Sequence, residues 1–289
     1  MRTPSLSIIT ICYNDPEGLT RTLASLLPLL DQSRFTWEHL IVDSSPEVHD
    51  PIFKRFPQLH HRREIRAPKG IYDALNAALE MVQGDIVWFL NSGDECLDLE
   101  SLSKGVESVA SPNGPEILIG GAAMFRDRRF LYTAFSPKNF RTALLGRNWI
   151  CHQAMLYASH VFKKVGPFIT SVTNTGDYDH HLRCLEMGIK VEFTNLVFAA
   201  YDRGGGSDQT ALVFREFKMI HSWHAHAFTP TQRFSHGFVR VVEFRRIQLV
   251  KGLGALGLRP VLLPVWRRVL SCWHGLRRRT LANVGQPLK

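Results

Sequence analysis

The sequence predicts an α/β fold: a mixed, mostly parallel sheet flanked by helices, followed by a basic helical C-terminal extension. Two observations carry this. Short, β-branched apolar runs alternate with helical patterns of about ten residues or more through the first half of the chain, which is the signature of βαβ units. In addition, 289 residues with 45% hydrophobic and 21% charged side chains suffice for a sizeable core and exclude a disordered chain.

The elements follow in order. Leu6-Ser-Ile-Ile-Thr-Ile-Cys12 reads as a buried strand. Leu19, Leu23, Leu26, Leu27 and Leu30 recur at helical spacing and predict a helix over 17–30. His39-Leu-Ile-Val-Asp43 is a second strand, ended by the turn-prone Ser44-Ser45-Pro46. A helix over 71–81 leads to the strand Asp85-Ile-Val-Trp-Phe-Leu90. From Glu116 to Tyr157 the pattern shifts to the strand-like runs 117–119, 130–132 and 153–157. A helix over 178–187 closes at Gly188, and a strand over 190–197 leads into Gly204-Gly205-Gly206. The expected organisation is a body over 1–206, in two parts over about 1–115 and about 116–206, then a basic helical region over 207–289.

Charge divides the chain the same way. The formal total is +9, yet residues 1–206 carry 21 basic and 23 acidic side chains, whereas 207–289 carry 14 and 3. The basic surplus therefore belongs to the C-terminal part, which argues against a uniformly basic nucleic-acid-binding body. The five cysteines are widely spaced and form no C-x-x-C pair, which predicts a reducing compartment with neither a disulfide framework nor a zinc knuckle. No secretory leader is apparent. No stretch reaches the ~18 uncharged apolar residues of a spanning helix. The expectation is a cytoplasmic protein.

In parallel sheets ligands sit beyond the carboxyl ends of the strands. That singles out Thr10, Tyr13, Asn14 and Asp15, then Asp43, then Asn91 and Asp94. An apolar strand ending in a carboxylate on a glycine turn suits a hard divalent cation bridging phosphates. Alternatively, Asp94 only caps a helix beginning near Leu97. His221, His224 and His226 offer metal-ligand types, but no acid or cysteine stands at a recognisable spacing.

Four runs occur in order: Thr-Ile-Cys-Tyr-Asn (10–14), Leu-Ile-Val-Asp-Ser-Ser (40–45), Lys-Gly-Ile-Tyr-Asp-Ala-Leu-Asn (69–76) and Phe-Leu-Asn-Ser-Gly-Asp (89–94). Together they resemble family 2 glycosyltransferases of GT-A fold, especially bacterial exopolysaccharide enzymes of the colanic-acid type. The resemblance covers roughly residues 5–206. It implies inverting transfer of a sugar from a UDP-, GDP- or dTDP-linked donor to an acceptor hydroxyl, with Mg²⁺ or Mn²⁺ bound together with the donor. By the same resemblance, Thr10, Tyr13 and Asn14 lie along the nucleotide and Asp43 hydrogen-bonds the base. Lys69, Gly70, Asp73 and Asn76 serve the donor side, although Asp73 and Asn76 could instead simply brace their helix. Asn91 faces the ribose, Asp94 holds the metal, and Arg203 neutralises phosphate charge in a glycine-rich loop.

On the acceptor side, the resemblance gives His152 and Gln153 of Trp149-Ile-Cys-His-Gln153 a contact with diphosphate, metal or acceptor; a buried structural histidine is the alternative. Thr175-Gly-Asp-Tyr-Asp179 stands at the place of the family's Glu-Asp motif. It offers Asp177 as general base, with Asp179 as the rival and an N-cap as the structural alternative. Three departures from the family pattern stand out: Asn91 replaces the first acid of the metal motif, Pro68 stands where an Asp often precedes the Lys-Gly-Ile-Tyr-Asp run, and Gly176 replaces the Glu.

Between Leu262 and Leu276, apolar residues at helical spacing alternate with Arg267, Arg268, Arg277 and Arg278. This predicts either an amphipathic helix on an anionic membrane surface, at the inner face of the cytoplasmic membrane, or a helix packed on the body. The membrane reading suits a polyprenyl-diphosphate-linked saccharide acceptor, which the resemblance implies. A nucleotidyltransferase of similar fold and a nucleic-acid-binding protein using the tail are the alternatives; no nucleic-acid partner is expected.

Overall fold

The computed structural model describes residues 3–144, 148–202 and 210–230. The chain divides into a unit over Met1–Ala227 and a second over Phe228–Lys289. The described residues belong almost wholly to the first. The expectations for Arg203, the three glycines after it and the basic helix near 262–276 fall outside the described residues.

The strands are β1 (Ser5–Cys12), β2 (Thr36–Asp43), β3 (Arg62–Ile65), β4 (Ile86–Phe89), β5 (Glu95–Cys96), β6 (Ile117–Arg126), β7 (Arg129–Phe135), β8 (Met155–Ala158) and β9 (Val191–Asp202). The helices are α1 (Pro16–Leu26), α2 (Leu29–Gln32), α3 (Pro46–Phe53), α4 (Ile71–Met81), α5 (Leu99–Ala110), α6 (Phe140–Ala143), α7 (His160–Val165), α8 (Gly176–Glu186) and α9 (Thr210–Trp223). They form one mixed sheet of order β3-β2-β1-β4-β8-β6-β9-β5, with β7 paired to β6. The β3-β2-β1-β4 portion is parallel throughout. β8 runs antiparallel to both β4 and β6, while β6 and β9 are parallel.

The central strands β1 and β4 are mostly buried, β4 wholly apolar and β1 apolar apart from Ser5, Ser7 and Thr10, as a sheet covered on both faces requires. α1 starts sharply because Asp15 accepts the Gly18 N–H at 2.9 Å and Pro16 occupies the first turn. Gly18 has no substitute there, since a Cβ would lie 1.8 Å from the Asp15 carboxylate. The helix foreseen over 17–30 is two helices, because the chain breaks at Leu27-Pro28 before α2 begins. Leu19, Leu23 and Leu26 are fully buried beneath α1. Burying each contributes roughly 1.5–3 kcal/mol before the entropy cost of ordering.

From β1 the chain runs outward to β2 and β3, then returns to place β4 on the other side of β1. The order reverses between β1 and β4, which opens a crevice beyond their carboxyl ends. The two loops there interlock: Ser92 N–H donates to Ile11 O at 3.1 Å, and Ser92 Oγ donates to Asp15 Oδ2 at 2.8 Å. Among the described residues, no helix is long and apolar enough to cross a membrane.

Candidate active site

The first wall of the crevice is the loop after β1. Tyr13 is exposed, and Asn14 sits in the left-handed region at φ 48. The Asn14 N–H donates to Ser45 Oγ at 3.1 Å, and the Asp15 N–H donates to His49 Nε2 at 3.2 Å. Because Nε2 accepts that bond, the imidazole proton sits on Nδ1, where it is donated to Asp43 Oδ1 at 2.7 Å. Ser45 N–H also reaches Asp43 Oδ1, and Arg63 pairs with Oδ2. Burial works to raise the Asp43 pKa, but these partners together hold its carboxyl below the usual range.

Asp43 is fully buried with both oxygens committed. The expected contact with a nucleotide base therefore gives way to a positioning role: through His49, Asp43 fixes the loop that presents Tyr13 and Asn14. Thr10 is corrected likewise. It is fully buried, its hydroxyl donates to Leu90 O at 2.7 Å, and it meets His39 rather than the crevice.

Cys12, Asp43 and His49 bring potential metal-ligating atoms within 4.8 Å of one another. That set does not suit a cation. A metal on His49 Nδ1 would displace its proton to Nε2, which faces the Asp15 N–H, and the Arg63 guanidinium already balances Asp43.

The turn after β4 suits one better. Asp94 is only 4% exposed, and burial pushes its carboxyl well above the usual range despite a hydrogen bond from Gln153. Asn91 Oδ1, at the other end of the turn, is buried without a hydrogen-bond partner. Asp202 of β9 adds a second nearby carboxylate, 3.5 Å from Arg21. Buried oxygens such as those of Asp94 and Asn91, beside the half-buried Asp202, are what a hard divalent cation binds. The alternative cap role is excluded, because α5 starts at Leu99 and Asp98 caps it.

α4 supplies the floor. Gly70, at φ 108, precedes it, and Lys69 is exposed with its charge near Asp73. Arg66 donates to Asp73 from two nitrogens, at 2.8 and 3.3 Å, and holds the Asp73 carboxyl below its usual range. Asn76 does not reach the crevice. It clasps the backbone of Phe168, donating to its C=O at 2.8 Å and accepting from its N–H at 2.9 Å.

Asp177, in the first turn of α8, completes the opposite wall. Tyr72 donates to its Oδ1 at 3.2 Å and Asn148 to its Oδ2 at 2.8 Å. Burial pushes the Asp177 carboxyl up to about 6, with these donors opposing the rise. The helix cap is Thr175, so Asp177 is no mere N-cap. Asp179 is excluded as a competing base by its partners: Arg183 at 2.8 Å and His224 at 3.0 Å take one oxygen each.

Between the walls lies Cys151, whose thiol is raised to about 12 by burial first and then by the charges of Asp94 and Asp177. It donates to Gln153 Oε1 at 3.3 Å. The His152 ring packs tilted against Phe89 with centroids 4.5 Å apart, its Nε2 is buried without a partner, and burial pushes its pKa down to about 3. The imidazole is therefore neutral.

Sequence reasoning missed Arg66, Asn148 and Asp202, and also Glu216 of α9. Buried Glu216 accepts from Thr173 N–H (2.7 Å), Asn174 N–H (3.0 Å) and Thr175 Oγ1 (2.9 Å), so it secures the start of α8. Of the histidines near 221–226, His224 bridges Asp179 and Glu186, and His226 also pairs with Glu186.

The family model described as "Glycosyl transferase family 2" matches residues 7–161. An uncharacterized glycosyltransferase of Mycobacterium tuberculosis is 27% identical over 248 residues, covering 83% of this chain and 92% of its own. A PGL/p-HBAD biosynthesis glycosyltransferase of Mycobacterium bovis is 28% identical over 223 residues, covering 75% and 84%. Among solved structures, a mannosyltransferase from Pyrobaculum calidifontis in complex with GDP-Man and Mn²⁺ superposes with a TM-score of 0.58 at 14% identity, covering 93% of this chain and 81% of that one. S. aureus TarS 1-349 in complex with UDP-GlcNAc gives 0.58 at 14% identity, covering 77% of this chain; the chain spans about two thirds (66%) of that structure. These likenesses establish the GT-A-like fold.

Proposed function

The chain belongs to glycosyl transferase family 2, and we propose that it inverts the anomeric carbon of a nucleotide-sugar donor while transferring the sugar to a hydroxyl of a lipid-carried saccharide. Family membership sets aside the nucleotidyltransferase alternative. The observation that carries the reading is the pair of carboxyl groups across the crevice. Asp94 belongs to an oxygen-lined turn below the nucleotide loops. Of the two acids in the first turn of α8, Asp177 is the one whose oxygens face hydrogen-bond donors without an ion pair.

In this reading the nucleotide lies on the loop after β1, against Tyr13 and Asn14, with Lys69 and the Arg66–Asp73 pair flanking the diphosphate and sugar. Asn91, Asp94 and Asp202 would hold a divalent cation, Mg²⁺ or Mn²⁺, which neutralises the diphosphate charge when bound. Asp177 takes the proton from the acceptor hydroxyl as its oxygen attacks the anomeric carbon in line, and the C–O bond to the diphosphate breaks. A carboxyl with a pKa of about 6 is a stronger base than an ordinary carboxylate, yet it is ionised at neutral pH. Neutral His152 beside Gln153 offers a lone pair or an N–H to the acceptor or diphosphate. Support for a lipid-carried acceptor comes from the mycobacterial relative named for PGL biosynthesis. An exopolysaccharide repeat unit built on polyprenyl diphosphate at the inner membrane face is one acceptor of that kind.

The test measures release of nucleoside diphosphate from UDP-, GDP- and dTDP-sugars with polyprenyl-diphosphate saccharides as acceptors, with and without Mn²⁺. Asp177→Asn should lower turnover by about 10²-fold or more while donor-dependent thermal stabilisation persists. Turnover near wild type in that variant would refute the assignment.

A further inference from the structure

Strands β6 and β7 form a hairpin whose outer strand, Arg-Phe-Leu-Tyr-Thr-Ala-Phe over 129–135, is exposed along nearly its whole length. Phe130 is 57% exposed, Leu131 43%, Tyr132 47% and Phe135 51%. Large apolar side chains this close together seldom face water without a partner.

The local geometry shows what kind of partner fits. Tyr132 pairs with Met124 and Phe130 with Phe125, so Leu131 is an extra, unpaired residue in a β-bulge. Side chains on paired positions share a face. Tyr132 therefore shares a face with Ala134, Arg126 and Arg129, whereas Phe130 and Phe135 lie on the other, over Phe125 and Gly121. Towards its tip the ribbon thus presents aromatic groups on both faces, while at its base Ala134 packs on the body. A protein docked on one face would leave the other in water, and the bulge disrupts the edge that a second copy of the chain would pair with.

The turn is basic and locally costly. Asp127 and Arg128 both take positive φ, 50 and 64, in a two-residue loop that favours Asn and Gly. Arg126 and Arg129 face each other across the ladder, where like charges repel. Arg128 pairs with Glu95, and Arg126 and Arg129 are likewise exposed at the tip, with Lys138 beyond the strand. Local choices that cost stability point to function.

We propose that this hairpin is a membrane-docking element that enters the interfacial region of an anionic bilayer. Its aromatic and leucine side chains sit at the boundary of headgroup and acyl chain, and its arginines meet the lipid phosphates. A bilayer interface surrounds both faces of a ribbon at once and favours Tyr and Phe beside Arg. The hairpin also borders the crevice: Ala134 packs on the cluster of Ala122, Met124 and Ala154 together with Cys151 and Tyr201. Docking there would hold the crevice at the lipid surface. This rests on the lipid-carried acceptor above for its purpose, but the test below uses neither donor nor acceptor, so the two readings fail separately.

The full chain is floated with vesicles of equimolar phosphatidylglycerol and phosphatidylcholine, and with phosphatidylcholine alone. Leu131→Ser/Tyr132→Ser, both at exposed positions, should lower partitioning to anionic vesicles by about tenfold or more. Arg129→Glu should weaken it on anionic vesicles and leave the neutral ones unchanged. Hydrogen exchange of residues 126–135 in the unaltered chain should slow on anionic vesicles. The inference is overturned if neither partitioning nor exchange changes, or if the full chain does not float. It is also overturned if the double variant only converts a dimer to a monomer in sedimentation, which would make the hairpin a self-association surface.

Discussion

The hydroxyl of Tyr72 donates to Asp177 Oδ1 at 3.2 Å, while the ring of the same residue closes over Gly176, where a Cβ would come within 2.9 Å of it. One side chain from α4 thus both tunes the candidate base and occupies the space of the side chain that the related motif places just before it. In this chain the Tyr72 ring fills the space that a side chain at position 176 would need.

Tyr72→Phe keeps the ring and removes the donor. A hydrogen bond to the charged form favours that form, so its loss raises the Asp177 pKa above the present value of about 6. The acid limb of the kcat profile should move to higher pH. The loss of rate should be several-fold near pH 6 and smaller at pH 8, where both enzymes are ionised. An equal loss at every pH would place Tyr72 outside the control of the base.

Gly176→Ala tests the packing half of the relationship. The new methyl must push the Tyr72 ring or the start of α8, at a cost of about 1–3 kcal/mol. Turnover should fall with the lowered Tm, and the stability costs of Gly176→Ala and Tyr72→Ala should be less than additive in the double variant, since the truncated ring no longer meets the new methyl. If Gly176→Ala alone unfolded at the wild-type temperature, the close approach would be no constraint.

Much of this was legible in the sequence, because the information was local. The apolar runs of β1, β2 and β4, the periodicity of α4 and the acidic start of α8 all announce themselves within a dozen residues. α3 was hidden by Pro51 inside it, and β3, at the end of the sheet, reads Arg-Arg-Glu-Ile without an apolar pattern. Partnerships at long range were illegible: Tyr72 and Asp177 are 105 residues apart, and Glu216 lies 41 residues beyond Thr175. Thr10, Asp43 and Asn76 stand at positions that suggest ligand contact. Their polar atoms are consumed by Leu90, His49 and Phe168, and no spacing rule reveals that.

Glu216 is a positioning residue for the base, since its carboxylate gathers three donors ahead of α8. Glu216→Gln should cost about 1–3 kcal/mol, a few degrees in Tm, through loss of charge-assisted bonds. It should lower kcat more than it raises the donor KM, because the donor side of the crevice is untouched. A change confined to the donor KM would contradict this.

The His224 clamp between Asp179 and Glu186 should have a pH window. Burial opposes its charge, but the two carboxylates together raise its pKa. Its contribution is therefore complete below the unfolded value of about 6.5 and is lost as pH rises through the higher folded value. Asp179 is lowered despite burial, by His224 and Arg183, so its share fades only as acid titrates it. Protection factors of amides over 210–224, taken relative to the base-catalysed intrinsic rate, should fall at alkaline pH in the wild type. In His224→Gln they should be lower from the outset and unchanged through that range.

Acid should unfold the body through its neutral histidines. Burial is the largest cause that pushes His152 and His180 down to about 3 and His61 to about 4, and it also holds His39 and His181 well below the usual range. The unfolded chain protonates all of them near pH 6.5 and the folded chain does not, so stability falls as pH drops from about 6.5 toward 4. Each such group adds up to about 1.4 kcal/mol per pH unit to the slope. Against a total of about 5–15 kcal/mol, unfolding should come between roughly pH 4 and 5. His180→Phe fills a site already stacked on Phe162 and Phe168. It should reduce the slope by about 1.4 kcal/mol per unit and move the acid midpoint lower, read by far-UV circular dichroism. An unchanged midpoint in a stably folded variant would mean that His180 takes up its proton without unfolding.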